Sequence, residues 1–193
     1  ECMDTFLPSA DSQISRAAFR SYQKQGLDIR LNARLLSTEV KQKKVHVTYE
    51  DTRGAQQIKF DKLVVAVGRK PNSDYLFGDE MALEIDEREY IHVNQYCETS
   101  VPGIYAVGDV CGPLQFTHVA EYQAGIVISN AVFRFPKKAD YGVVPWVTYT
   151  DPELARVGLT AKQAADQGFD PVVLRFPFRD IDRALTEGEP RGL

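Results

Sequence analysis

The sequence predicts an α/β chain that closes with a smaller α+β module. Three observations carry that expectation. Helical and strand-like periodicities alternate along the chain. Two short apolar runs, Leu63–Val67 and Ile104–Val107, read as strands buried on both faces. The pattern then changes from Val143 onward, where strand, helix and strand follow in short order.

The first helix starts at Ser9 or Asp11, both good N-caps, and carries Ile14, Ala17, Ala18 and Tyr22 at helical spacing, with Gly26 as its C-cap. Leu27–Leu31 alternates as a strand would. Leu35–Val40 and Lys44–Glu50 are the next two strands, and the basic run Lys41–Lys44 is the solvated turn between them. Asp51–Gly54 turns the chain into a strand at Gln57–Phe60, and Lys62–Gly68 is a buried strand. Pro71, Asn72 and Ser73 make a loop, because Pro71 disfavours helix before it. A short strand pair brackets Asp86–Glu89. Val101–Asp109 reads as a turn, a buried strand and a carboxylate at the strand's end. A helix follows from Thr117 to Phe133, stopped by Phe135–Lys138. Val144–Thr150 is a strand, Thr160–Gln167 an amphipathic helix closed by Gly168, and Pro171–Phe176 a last strand.

Composition narrows the function. With 44% hydrophobic and 26% charged residues, the chain is globular rather than disordered, collagen-like or a coiled coil. The net charge of -4 and the lack of a Lys/Arg stripe argue against nucleic acid as partner. Three cysteines at Cys2, Cys97 and Cys111 are too few and too widely spaced for a disulfide scaffold or a zinc site, so no metal is expected. Cys97 and Cys111 lack redox-pair spacing and read as ordinary semi-buried thiols. No apolar run reaches 18 residues, so no membrane span is expected. Glu1–Asp4 is not a signal peptide, and the expected location is the cytoplasm. Both ends fall in mid-element, as in a piece of a longer protein.

Thr99–Asp109 concentrates the chemistry. In open α/β sheets ligands sit beyond the carboxyl ends of strands. Gly108 removes a Cβ and lets a bulky group approach the backbone, while Asp109 offers two acceptor oxygens to a polyol or ribose. A plain turn with Asp109 as a local cap is the competing reading. The helix that starts near Gln115, Phe116, Thr117 and His118 brings the positive end of its dipole, although Thr117 as an ordinary N-cap would explain it equally. Arg183, Trp146 and Tyr149 read as structural, core or interface residues.

The run Thr99–Asp109 resembles the second FAD-binding motif of the flavoprotein disulfide reductases, the group of dihydrolipoamide dehydrogenase, mercuric reductase and glutathione reductase. Leu63–Asn72 looks like the family's passage from the NAD domain back into the FAD domain, and Val144–Thr160 is similar to the start of its dimer-interface domain. The resemblance covers essentially the whole chain. It implies incomplete Rossmann-like FAD/NAD(P)-binding segments followed by the start of an α+β dimer-interface domain. The implied division is 1–68 for the end of the NAD domain, 69–140 for the second part of the FAD domain and 141–193 for the dimerisation domain. FAD would be held by Gly108, Asp109, Gln115, Phe116, Thr117 and His118, and NAD by Glu1 and Gly68. An acid at Glu1 suits the adenosine ribose of NAD and repels a 2′-phosphate.

The same resemblance implies a homodimer that passes electrons between NAD(H) and a small disulfide or lipoyl substrate, with the redox cysteines and acid–base His outside this stretch and no catalytic residue within it. Dihydrolipoamide dehydrogenase fits Leu31–Gly68 and Tyr96–Ser100. Gln115–Thr117, Tyr122–Gly125 and Asp180–Gly188 look closer to the mercuric-reductase-like branch, and the dehydrogenases usually carry an acid where Tyr122 stands. A non-catalytic remnant that binds nucleotide or dimerises is the reading from another class.

Overall fold

In the computed structural model, residues 1–74 and 83–192 are described. The elements are α1 (Ser12–Lys24), β1 (Arg34–Lys41), β2 (Lys44–Asp51), β3 (Gly54–Phe60), α2 (Thr117–Val127), β4 (Pro145–Thr148), β5 (Leu154–Val157), α3 (Ala161–Asp166) and α4 (Asp182–Thr186). The chain divides into two units, one of Glu1–Val65 with Pro145–Leu193 and the other of Ala66–Val144. It is a mixed helix-and-sheet chain, as its periodicities predict.

In the first unit, α1 is set by its ends. Asp11, rather than Ser9, caps it by accepting from the Gln13 N–H at 2.9 Å. Gly26 takes φ +91°, and the Gly26 and Leu27 N–H groups reach back to the Gln23 and Tyr22 carbonyls, closing the helix in a Schellman turn. Ser15 and Ala18 are its buried face, and Phe6 stands edge-on to both Phe19 and Tyr22.

The strands β1, β2 and β3 form an antiparallel meander. Gln42 and Lys43 turn β1 into β2 with φ of +51° and +63°, the primed turn that matches strand twist. Val47 and Tyr49 of β2 are buried, and the Arg30 guanidinium lies 5.1 Å over the Tyr49 ring.

Later in the same unit β4 and β5 form an antiparallel hairpin. The sequence pattern had not separated β5, only four residues long. Arg156 of β5 donates to the Ser9 carbonyl at 2.9 Å and to Gln163 at 2.7 Å and stacks on Trp146, tying the hairpin to the approach of α1. Thr160 and Gln163 start α3 with a reciprocal capping box.

Four expected strands do not form. Leu27–Leu31 makes no ladder, though Asn32 and Ala33 donate to the Met3 and Glu1 carbonyls. Lys62–Gly68 is exposed, Val67 at 91%, and Pro171–Phe176 forms no ladder and is exposed, Leu174 at 88%. Val101–Asp109 contributes only a bridge between Glu98 and Tyr105. An apolar run encodes burial, whereas a strand also requires a neighbouring backbone paired with it in a continuous ladder, and among the described residues these runs have none. The pair around Asp86–Glu89 likewise reduces to one bridge, Ile85 to Ile91.

In the second unit α2 is the spine. It begins one residue earlier than a Thr117 N-cap would place it: Phe116 is the extended cap residue, its carbonyl accepting from Val119 and Ala120, and Thr117 is already helical. Ile128–Val132 continues the helix in π form to the expected end, where the Asn130 amide clasps both backbone groups of Lys137. Val119 and Ile126 are fully buried, with Ile91, Cys97 and Ala106 completing this core.

Candidate functional site

Gly108–Cys111 is a single 3-10 turn that enters the loop before α2, so Asp109 sits on a turn and not at a strand end. The turn is pinned at three points. The Gly108 N–H donates to Gln123 Oε1 at 2.6 Å, the Cys111 thiol lies 3.2 Å from the Gly108 carbonyl, and the Ile91 N–H donates to the Val110 carbonyl at 2.9 Å. Gly108 takes φ +77°, and a Cβ there would meet the Ala120 Cβ at 3.2 Å. Glycine is therefore required first by the backbone and by the close approach of α2.

With its backbone fixed, Asp109 turns outward. Its carboxylate is 53% exposed and lies 3.4 Å from Nη1 of Arg69, itself 67% exposed. Gly68, next to Arg69, is exposed with φ +132°. At the start of α2, Gln115 donates to the Tyr90 hydroxyl at 3.1 Å, and the Phe116 and His118 rings stack at 5.3 Å. The structure thus gathers Gly108, Asp109 and the beginning of α2 in one unit, with Gly68 beside the Arg69 that reaches Asp109. An open carboxylate, an adjacent guanidinium and a helix N-terminus form a donor and acceptor set that fits a polyol chain and an electron-rich ring or phosphate. The residues present therefore fit FAD.

Glu1 belongs to the other unit. Its side chain is exposed, but its backbone is held, because its carbonyl accepts from Ala33 at 2.9 Å. The Met3 N–H on Oε1 holds the Glu1 carboxyl below the usual carboxylate range. An ionised carboxylate at this edge has an oxygen to offer a ribose hydroxyl.

The thiols are quiet. Cys97 is buried and Cys111 half-buried, and burial pushes the Cys111 thiol up to about 11. Among the described residues no cluster of His, Cys, Asp or Glu is arranged to hold a metal ion, and no helix is long and apolar enough to cross a membrane. A groove of about 540 Å³ in the first unit is lined by Asp11, Trp146, Arg156 and Arg175 among others, but by none of the predicted site residues.

Residues 1–124 match the pyridine nucleotide-disulphide oxidoreductase family, and residues 144–193 match that family's dimerisation domain. The chain belongs to this family. The dihydrolipoyl dehydrogenase of Thermus scotoductus is 38% identical over 201 residues, an alignment covering 100% of this chain and 42% of that protein. The mercuric reductase of Lysinibacillus sphaericus is 36% identical over 192 residues, covering 98% of this chain and 35% of its own. The HOCl-induced flavoprotein disulfide reductase RclA of Escherichia coli superposes with a TM-score of 0.88 at 31% identity, over 100% of this chain and 43% of that one. The chain spans less than half the length of these relatives. Its architecture is accordingly that of incomplete Rossmann-like segments followed by the start of a dimerisation domain.

Gln123 is the residue that sequence reading passed over. The available signal was its position: Val119, Gln123 and Ile126 share one helical face, and an amide between two buried aliphatics needs a reason.

Proposed function

We propose that the chain is part of a flavin-dependent oxidoreductase that passes electrons between NAD(H) and a disulfide substrate, with dihydrolipoamide dehydrogenase as the best candidate and lipoamide as its disulfide. The observation that carries this is the Gly108–Cys111 turn, which presents an open Asp109 carboxylate beside α2 in a chain of this family. In this reading Asp109 accepts hydrogen bonds from the ribityl hydroxyls of FAD. Arg69 limits where that carboxylate can swing. The segment Gln115, Phe116, Thr117 and His118 brings the positive end of α2 to the flavin ring. Bound FAD supplies two-electron chemistry that no side chain of this chain offers.

Glu1, with Gly68 at the passage between domains, is assigned to NAD, and the acid at Glu1 favours NADH over NADPH. Residues 1–68 are the end of the NAD domain, 69–140 the second part of the FAD domain and 141–193 the beginning of the dimerisation domain, through which the protein forms a homodimer. The cytoplasm is the location that fits unpaired thiols. The quiet Cys97 and Cys111 support placing the redox pair elsewhere in the native protein.

A mercuric-reductase-like activity is the second reading, favoured by the 36% identity to that enzyme and by Tyr122. Here Tyr122 accepts from the Asp140 N–H at 2.9 Å and stands edge-on to Tyr141. NADH oxidation by the native protein, with lipoamide and with mercuric ion in parallel, separates the two. Turnover with lipoamide alone supports the first reading and turnover with mercuric ion alone the second. Flavin-free protein inert to both contradicts either and leaves a non-catalytic remnant.

A further inference from the structure

We propose that Gln123 is a positioning residue for the flavin-binding turn, acting through Asp109 and anchored from behind by Tyr141. The inference rests on the reading that Asp109 contacts FAD.

Gln123 is only 6% exposed, on the face of α2 between Val119 and Ile126. Its amide can sit only one way round. The Gly108 N–H is a donor and nothing else, so the carbonyl oxygen must face it, at 2.6 Å. The Cys111 thiol, 3.8 Å away, lies on the same oxygen. The NH₂ group is then turned to the Tyr141 hydroxyl at 2.8 Å. One side chain thus holds the turn at Gly108 and at Cys111, the two residues that bracket Asp109 and Val110. The opposite side of the amide is tied to Tyr141, three residues before the match to the dimerisation domain begins.

Asp109 gains no comparable support of its own. Among the described residues its carboxylate has one long contact, to an exposed Arg69. Where the carboxylate points is therefore set by the backbone of the turn, and the first N–H of that turn is set by Gln123. Removing the amide leaves the buried Gly108 N–H without its acceptor, and among the described residues the turn is then held by the Cys111 thiol on the Gly108 carbonyl and the Ile91 N–H on the Val110 carbonyl. The turn relaxes, and the carboxylate loses its fixed direction.

The test is a double-mutant cycle on FAD affinity, using the native protein stripped of flavin and titrated with FAD. Gln123→Met keeps the volume and removes the acceptor. It is expected to weaken FAD binding about tenfold, in the range typical of groups that orient a ligating residue. In an Asp109→Ala background the same change is expected to add almost nothing, because the two residues act as one unit. A purely structural glutamine lowers the unfolding temperature yet leaves FAD affinity unchanged, or lowers it additively with Asp109→Ala; either result overturns the proposal. Tyr141→Phe, which deletes only the hydroxyl, runs through the same cycle and is expected to act in the same direction by a smaller factor. It keeps the question decidable if Gln123→Met does not fold. Wild-type protein that binds no FAD removes the flavin reading itself, whereas wild-type binding with additive losses removes only the role of Gln123.

Discussion

Replacing Gly108 with alanine probes the turn at its most constrained point. Two costs are visible. The backbone sits at φ +77°, where a residue with a Cβ is disfavoured by about 1–2 kcal/mol. The new Cβ would stand 3.2 Å from the Ala120 Cβ, closer than neighbouring side chains normally sit, and α2 or the turn must shift by a few tenths of an ångström. Overpacking of that kind costs about 1–3 kcal/mol, so the sum is about 2–5 kcal/mol. Two other glycines provide the scale. Gly112 has an extended backbone and open space where its Cβ would go, so Gly112→Ala stays within about 0.5 kcal/mol of wild type. Gly125 lies inside α2 with its Cβ position open, and Gly125→Ala is expected to stabilise by about 0.5–1 kcal/mol. Urea unfolding of the three variants measures each difference from the midpoint and slope. Gly108→Ala as stable as wild type, or less damaging than Gly112→Ala, would refute the claim that backbone and α2 together demand glycine.

Other consequences are as direct. Ile126→Ala, at a fully buried position, should destabilise by about 2–5 kcal/mol in the same assay, whereas Ile128→Ala, half-exposed on the π turn, should cost far less. Thr160→Ala breaks the capping box of α3 and should cost about 1 kcal/mol. With a thiol reagent near neutral pH, exposed Cys2 should react first, and Cys97 and Cys111 only as the protein unfolds. The Cys111 thiol also makes stability pH-dependent. Its folded value of about 11 lies above the ordinary 9, so its contribution is whole below pH 9 and is lost as the pH rises from 9 through about 11. Cys111→Ser should flatten that alkaline loss.

The parts legible in the sequence were those whose determinants are local. Asp11 and Gly26 bound α1 by their own hydrogen bonds and backbone, and Thr160 does the same for α3. The meander followed from alternation and from turns at Gln42–Lys43 and Asp51–Gly54. The runs Lys62–Gly68 and Pro171–Phe176 were misread for the complementary reason. Their apolar character describes an environment, while a ladder depends on another backbone that no local pattern can specify. The same limit applied to the site. The phrase around Asp109 was recognisable from sequence, but the turn that carries it, the approach of Ala120 and the grip of Gln123 depend on residues twelve to fifteen positions away.

The measurement that bears most directly on the function is the visible spectrum of the purified native protein, before and after anaerobic addition of NADH. A yellow protein with a flavin spectrum that NADH bleaches is the expected result. A colourless protein, or one whose flavin is indifferent to NADH, contradicts the assignment of this chain to a flavin-dependent oxidoreductase.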